Sequence, residues 1–427
     1  MFSENKFYVA FVLAVSLALR SSAQDTVVSA MQRAADYLVA NQNAQGYWDY
    51  ETAFVGESTI GLCDAYLELP SAPNRAQYKS SAETAGAYIW SSAGYNSSTH
   101  LWGVPPYAAE AYALTRLSDI SSDPSNNQWR VSLVDFFNQV RTRQGQTQGF
   151  IDGIISNYPS DQKGVALYDL SRFGVAAQYV NDVDTPLWRQ SIIDLLGEIG
   201  DSDYYQVFGF AAAVWALNAT GGLDNTVISG TSPYFNGKTL AELPDMLAAL
   251  QAPDGSFYWN LDGTEPGGTD VTFLATLALD SVGGYETQVE NAINTLASGV
   301  DSDGACYLVI GDPSSGSGYY FSGETLEGMR PIVTVPEFIR GDANSDGALQ
   351  ISDAVFILQY LFAAGESPSC LDASDSNDDG YIDISDVMKI LMYLFGDLPA
   401  PPAPYPDCGV DTTEDSLDCG SFPPCGS

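Results

Sequence analysis

The stretch Phe208-Gly-Phe-Ala-Ala-Ala-Val-Trp-Ala-Leu217 is apolar on every side of a helix. Such a helix must be covered by neighbours all round, which a single layer of helices cannot do. Along residues 26–330 most apolar segments follow an amphipathic one, as in Met31-Gln-Arg-Ala-Ala-Asp-Tyr-Leu38, and an amphipathic helix keeps one wet face. The pattern predicts helix pairs at 27–41 with 54–68, 75–93 with 104–119, 127–143 with 164–181, 184–199 with 204–219, 238–251 with 268–282, and 284–298 with 322–330. Turns rich in Gly, Pro, Asn and Asp separate them, and strand-like alternation is scarce. The expected class is therefore all-α, with about six hairpins whose first helices form an outer ring and whose second helices form an inner one.

A repeated turn supports that arrangement. Tyr37-Leu38-x3-Gln42-x3-Gly46-x-Trp48 returns as Leu247-x3-Gln251-x3-Gly255-x-Phe257 and, degraded, as Leu296-x3-Val300-x3-Gly304-x-Cys306. In each full copy Gln ends the outer helix, Gly permits a left-handed turn and an aromatic ring folds back on it. These repeats resemble the Gln-Trp motifs of the α/α-toroid superfamily, which includes triterpene cyclases and protein prenyltransferase β subunits. The resemblance implies an α/α toroid over most of residues 26–330, with the motif serving structure. It does not carry the chemistry across. No Asp-x-Asp-Asp acid run occurs in this segment, no Gly-Cys-Gly-Glu-Gln thioester motif is present, and the single His, His100, has no neighbouring Cys with which to hold zinc.

The C-terminal part carries two twelve-residue stretches 33 residues apart, Asp342 to Asp353 and Asp375 to Asp386. In the first, Asp342, Asn344, Asp346, Gln350 and Asp353 put oxygen side chains at positions 1, 3, 5, 9 and 12, with the Ala348 carbonyl at position 7. In the second, Asp375, Asn377, Asp379, Asp383 and Asp386 do the same around the Tyr381 carbonyl. Calcium takes six to eight hard oxygen ligands, and Gly347 and Gly380 at position 6 supply the sharp bend that such coordination needs. Each loop opens an apolar helix. The duplicated segment, about 338–398, resembles a type I dockerin, which implies two Ca²⁺ ions, one per loop, and a cohesin-like domain of another extracellular protein as partner. It departs from the dockerin pattern at positions 10 and 11, Ile351-Ser352 and Ile384-Ser385, and in the helices, where Leu358-Gln359 and Leu391-Met392 stand in place of a basic pair.

Residues 1–23 read as a secretory signal, with Lys6 ahead of an apolar run from Phe7 to Leu19 and then Arg20-Ser-Ser-Ala23. The run is too short to span a bilayer. An exported, extracellular protein is expected, with a large domain at 24–335 and a calcium-binding, Cys-rich domain at 336–427. Of six cysteines, Cys370, Cys408, Cys419 and Cys425 cluster in or after the loop region, where three disulfide pairings are open. Cys63 and Cys306 are expected as small buried residues. The formal charge of −38, from 54 acidic and 16 basic residues, repels phosphate backbones and makes nucleic acid a poor partner.

Candidate reacting groups sit where inner helices begin. Gly56-Glu57-Ser58-Thr59, Gly268-Thr269-Asp270 and Gly323-Glu324-Thr325 each place a carboxylate beside a hydroxyl. Such residues cap helix N-termini. Alternatively Glu57, Asp270 and Glu324 face each other across an aromatic cavity as acid and base, or nucleophile, for glycosidic cleavage. A second candidate is Tyr168 with Arg172, four residues apart on one helix face. These would serve a uronate lyase as base and carboxylate-neutralising cation, or else form a structural stack with Arg172 paired to Asp169. Of the many Trp and Tyr rings, some would stack on sugars while most fill the core. The leading expectation is a polysaccharide-acting hydrolase or lyase. The alternatives are a non-catalytic protein- or glycan-binding toroid and, least favoured, an isoprenoid cyclase.

Overall fold

A computed structural model describes residues 27–48, 55–143, 146–316, 318–330, 338–363, 365, 367–396, 399–406, 408, 409, 417, 419 and 422–425. The expected signal sequence at 1–23 lies outside the described residues. The chain divides into two compact units, Met1–Ile332 and Val333–Ser427. It is all-helical: among the described residues only isolated bridges occur, with no extended strand.

In the first unit, α1 covers 27–41. It is followed by α2 (Val55–Glu68), α3 (Arg75–Ser92), α4 (Ala108–Asp119), α5 (Gln128–Thr142), α6 (Gln146–Asn157), α7 (Lys163–Tyr179), α8 (Thr185–Leu196), α9 (Gln206–Ala219), α10 (Leu243–Ala248), α11 (Thr269–Val282), α12 (Glu286–Ser298) and α13 (Tyr319–Met329). Packing runs in a closed order, α2 on α4, α4 on α7, α7 on α9, α9 on α11, α11 on α13, and α13 back on α2. These are the apolar members of the expected pairs. In α9 every residue from Gln206 to Leu217 is buried. The amphipathic α5 instead buries Trp129, Ser132, Leu133, Phe136, Phe137 and Val140, one stripe at helical spacing.

The sequence reading runs residues 144–163 as a connection, whereas α6 occupies most of it. Two glycines and only Thr147 and Ile151 fully buried give this helix a weak apolar stripe. The expected helix at 238–251 is a 3-10 turn, Leu240–Glu242, leading into the short α10, in which Pro244 stands at the start.

The repeated turns tie neighbouring outer helices together. The Gln42 amide donates to the Gly46 carbonyl (3.1 Å) and to Ser81 in α3 (2.9 Å), and the Trp48 indole donates to the Leu38 carbonyl (2.7 Å). In the second copy Gln251 donates to Gly255 (3.0 Å) and to Gln288 in α12 (2.7 Å). The degraded copy has Val300 where Gln would stand, and Arg33 of α1 donates from the other side to the Val300 and Asp301 carbonyls. There Gly304, at φ +92°, lies so close to the Arg33 carbonyl that a Cβ would collide with it. That contact joins the last turn of the unit to its first helix.

The second unit contains α14 (Ile351–Phe362), the single-turn α15 (Leu371–Ser374) and α16 (Ile384–Phe395). Helices α14 and α16 pack together over Ala343, Ala354, Ile357, Val387 and Ile390. A smaller core of Phe338, Cys370, Ala373, Cys419 and Phe422 anchors the tail. Disulfides join Cys370 to Cys419 and Cys408 to Cys425, resolving the pairing that the sequence left open. Cys63 and Cys306 are buried free thiols, and burial pushes the Cys306 thiol up to about 11. The Arg340 guanidinium is fully buried and donates to the carbonyls of Ala403 and Asp375 (2.9 Å each), locking the tail to the start of the second acidic loop.

Candidate functional site

The opening turns of all six inner helices line one cavity of about 560 Å³: Glu57 of α2, Ala108 of α4, Val165 of α7, Phe208 of α9, Asp270 of α11 and Phe321 of α13. Glu324, one turn further along α13, completes a set in which the three carboxylates expected at helix starts share a single space. Close backbone approach makes this possible. A Cβ at Gly56 would meet the Ala109 carbonyl carbon at 2.5 Å, and one at Gly323 would strike the Glu57 backbone. Gly56 and Gly323 therefore let neighbouring inner helices touch where their acids emerge, while Gly268 admits the Leu308 carbonyl at the start of α11.

Glu57 and Glu324 do not spend their carboxylates on capping alone, whereas the hydrogen bond of Asp270 comes from the first turn of its own helix. Glu57 Oε1 accepts from the Tyr168 hydroxyl (3.1 Å), while Glu57 Oε2 and Glu324 Oε2 are buried without a hydrogen-bond partner among the described residues. Asp270 accepts from the Val271 N–H (2.9 Å). Burial raises the Glu57 carboxyl from its ordinary 4.5 to about 7, against the smaller opposing effects of its own backbone N–H and of Arg172. Burial likewise lifts Asp270 to about 7. Glu324 rises well above its ordinary value, first through burial and then through the negative charges of Asp270 and Glu57. Groups with shared surroundings and separated proton affinities are suited to divided acid and base roles.

A fourth carboxylate that the sequence reading assigned elsewhere, Asp169, also lines the cavity. The Tyr158 hydroxyl donates to it (2.6 Å), and burial raises it to about 6. Arg172 is not its partner. The Arg172 guanidinium, wholly buried, forms two parallel bonds to Glu327 (2.6 and 2.7 Å) and lies against the rings of Tyr112, Tyr168 and Trp215 at 4.7–5.1 Å. Tyr168 does reach the cavity, its ring stacked on Phe208 at 4.9 Å. Among the described lining residues no Lys, Arg or His occurs. The remaining surface is largely aromatic, with Tyr107, Tyr205, Trp259 and Tyr320 contributing rings, and the Trp259 N–H has no partner among the described residues. Trp48, Trp102 and Trp215 are buried, as expected of core rings. Tyr320 and Phe321 escaped the sequence reading, although both fall in the first turn of α13, where the acids also gather.

In the second unit the two acidic loops fold alike. Asp342 accepts from the N–H groups of Asp346 (3.1 Å) and Gly347 (2.7 Å), and Asp353 closes the loop by accepting from Asn344 (3.2 Å) and Gln350 (2.7 Å). Asp375 accepts from Asp379 (3.2 Å) and Gly380 (2.8 Å), and Asp386 from Asn377 (3.3 Å) and Asp383 (2.9 Å). Gly347 and Gly380 take φ of +89° and +79°. Burial, opposed by these N–H groups and reinforced by the facing carboxylates, raises Asp353 to about 6 and Asp386 to about 7. Among the described residues no three His, Cys, Asp or Glu side chains are grouped as a metal site. The loops nevertheless fit calcium, because Asp342 and Asp346 raise the proton affinity of Asp353, as Asp375 and Asp379 raise that of Asp386, and a divalent cation relieves that repulsion. Asn344, Gln350, Asn377 and Asp383, with the carbonyls of Ala348 and Tyr381, provide the further oxygens.

Among the described residues no helix is long and apolar enough to cross a membrane. Comparison of the sequence with protein-family models and with curated proteins returned no match, so the geometry of these sites carries the functional argument.

Proposed function

We propose that the first unit is an α/α toroid whose cavity cleaves glycosidic bonds, in an extracellular protein that a calcium-bound, dockerin-like second unit docks to a cohesin-like partner. The observation that carries the catalytic part is the gathering of Glu57, Asp270 and Glu324 in one aromatic cavity. Glu324, whose proton affinity burial and the facing carboxylates raise well above the ordinary value, donates its proton to the leaving oxygen. Asp270, ionised above about pH 7, acts as base or nucleophile on the opposite side. Tyr168 orients Glu57, and the rings take the flat faces of the sugar. The absence of a cation among the described lining residues favours hydrolysis over uronate elimination, in which a positive charge must meet the sugar carboxylate.

Docking draws support from a duplicated surface. Ile351, Val355 and Phe362 on α14 and Ile384, Met388 and Phe395 on α16 occupy equivalent positions and are all exposed. Bound calcium would fix the loop ends from which these two helices start, held by Asp342, Asn344, Asp346, Gln350 and Asp353 in one loop and Asp375, Asn377, Asp379, Asp383 and Asp386 in the other.

The test is reducing-sugar release from a polysaccharide panel by the calcium-loaded wild type and by Glu324→Gln and Asp270→Asn. Loss of about a hundredfold or more in both variants is expected. Undiminished turnover removes these residues from the mechanism. Binding without any product supports instead a non-catalytic glycan-binding unit, which the open, ring-lined cavity also suits. An isoprenoid cyclase draws on the rings alone, without the acid run that such chemistry uses.

A further inference from the structure

We infer that the cavity selects a glycan carrying protonated amino groups, a polymer of 2-amino-2-deoxy sugars, over neutral and uronate polymers; this deepens the glycan reading above and rests on it. Hydrolysis of a glycosidic bond uses two carboxyl groups. The cavity offers four, Glu57, Asp169, Asp270 and Glu324, with no cationic side chain among the described residues of its lining. The surplus needs a partner. Asp270 and Glu324 serve the bond, which leaves Glu57 and Asp169 over; Glu57 is 5% exposed, lines the cavity, and its Oε2 is buried without a donor among the described residues. An unpartnered buried acceptor is costly, more so when charged. A sugar hydroxyl answers such an oxygen with one donor and no charge, whereas an ammonium brings three donors and the opposite charge. The ring faces of Tyr205, Phe208 and Trp259 attract an ammonium as well as stack on a pyranose.

The surroundings extend the same selection. A second cavity of about 290 Å³ shares Tyr204 and Trp259 with the first and adds Asp201, Asp203, Asp262 and Glu265. A linear chain leaving the first cavity across Trp259 thus meets further carboxylates, which hold a repeating positive charge and repel a repeating negative one. The net charge of −38 acts in the same direction at longer range.

The experiment is calorimetric titration of the full-length, calcium-loaded protein with a glucosamine tetrasaccharide, its fully N-acetylated counterpart, cellotetraose and tetragalacturonate, at low and moderate salt. The amine-bearing tetramer should bind about tenfold or more tightly than either neutral one, weaken severalfold as salt rises from about 0.05 to about 0.3 M, and outbind the uronate by more. Asp169→Asn, which keeps an oxygen to accept from Tyr158, should cost the amine tetramer about tenfold and leave cellotetraose unchanged. Glu57→Gln should act in the same direction, and circular dichroism checks the fold of both variants. Equal or tighter binding of a neutral tetramer overturns the amine selection while leaving the glycan reading intact. Failure of all four sugars to bind removes the glycan reading and this inference with it.

Discussion

Replacing Glu57 by Gln should stabilise the protein, and only at the upper end of the pH range. The buried carboxyl has its proton equilibrium moved from 4.5 to about 7 by loss of hydration. A group raised in this way supports the fold fully below its unfolded value and withdraws that support as pH climbs through its folded value. At about 1.4 kcal/mol per tenfold change in proton affinity, ionising Glu57 in the folded state costs about 3 kcal/mol more than in the unfolded chain. Between about pH 5 and pH 8 the wild type should therefore lose about 2.5 kcal/mol relative to Glu57→Gln. The amide oxygen still accepts from Tyr168, and any penalty for burying the amide N–H groups is the same at both pH values. Urea unfolding followed by tryptophan fluorescence, both proteins in saturating calcium, reads the difference, and the other titrating groups cancel to first order. A stability gap that changes by less than about 1 kcal/mol across that range would refute a desolvated, ionisable Glu57.

The same acids should shape the pH profile of glycan cleavage: kcat/KM rises through about pH 7 as Asp270 ionises and falls where Glu324 gives up its proton, and Glu324→Gln should lack the falling limb. Arg172→Met leaves the Glu327 carboxylate buried and alone and should cost about 3–5 kcal/mol in urea unfolding, most of it recovered in the double variant with Glu327→Leu. Gly304→Ala forces a Cβ onto the Arg33 carbonyl in a left-handed conformation and should cost about 2–3 kcal/mol by the same assay. Calorimetry after chelator treatment should count two calcium ions per chain and one in Asp346→Ala, and the chelated protein should show a lower melting transition for its second unit.

Much of the architecture was legible because the inner helices are apolar all round and the outer ones are not. The segment 206–217 needs no partner to be recognised as buried. Helix α6 was missed because its glycines and sparse buried positions leave no clear period. The acids at the helix starts were legible as a group through the Gly before each one. Their convergence depends on backbone contacts between segments hundreds of residues apart, such as Gly323 against Glu57. Arg172 shows the opposite case. Local spacing pointed to Asp169, yet the true partner, Glu327, stands 155 residues away on the far side of the closed packing order, and Asp169 turns to the cavity. The disulfides could not be read at all, since four nearby cysteines carry no record of which loops meet. The acidic loops were the most legible feature, because carboxylate position, bend and helix start are all encoded within twelve consecutive residues.

The six opening turns that surround the cavity have a bearing on how such a protein can change over generations. Beyond them the inner helices are sealed, as in Ala211 to Leu217. A handful of codons thus governs the shape and charge of the cavity, while the hydrophobic remainder maintains the scaffold. Substitutions at those few places can reshape the cavity with little risk of collapse, and one of them, at Glu57, would even leave a variant sturdier above about pH 7 as the starting point for the next step.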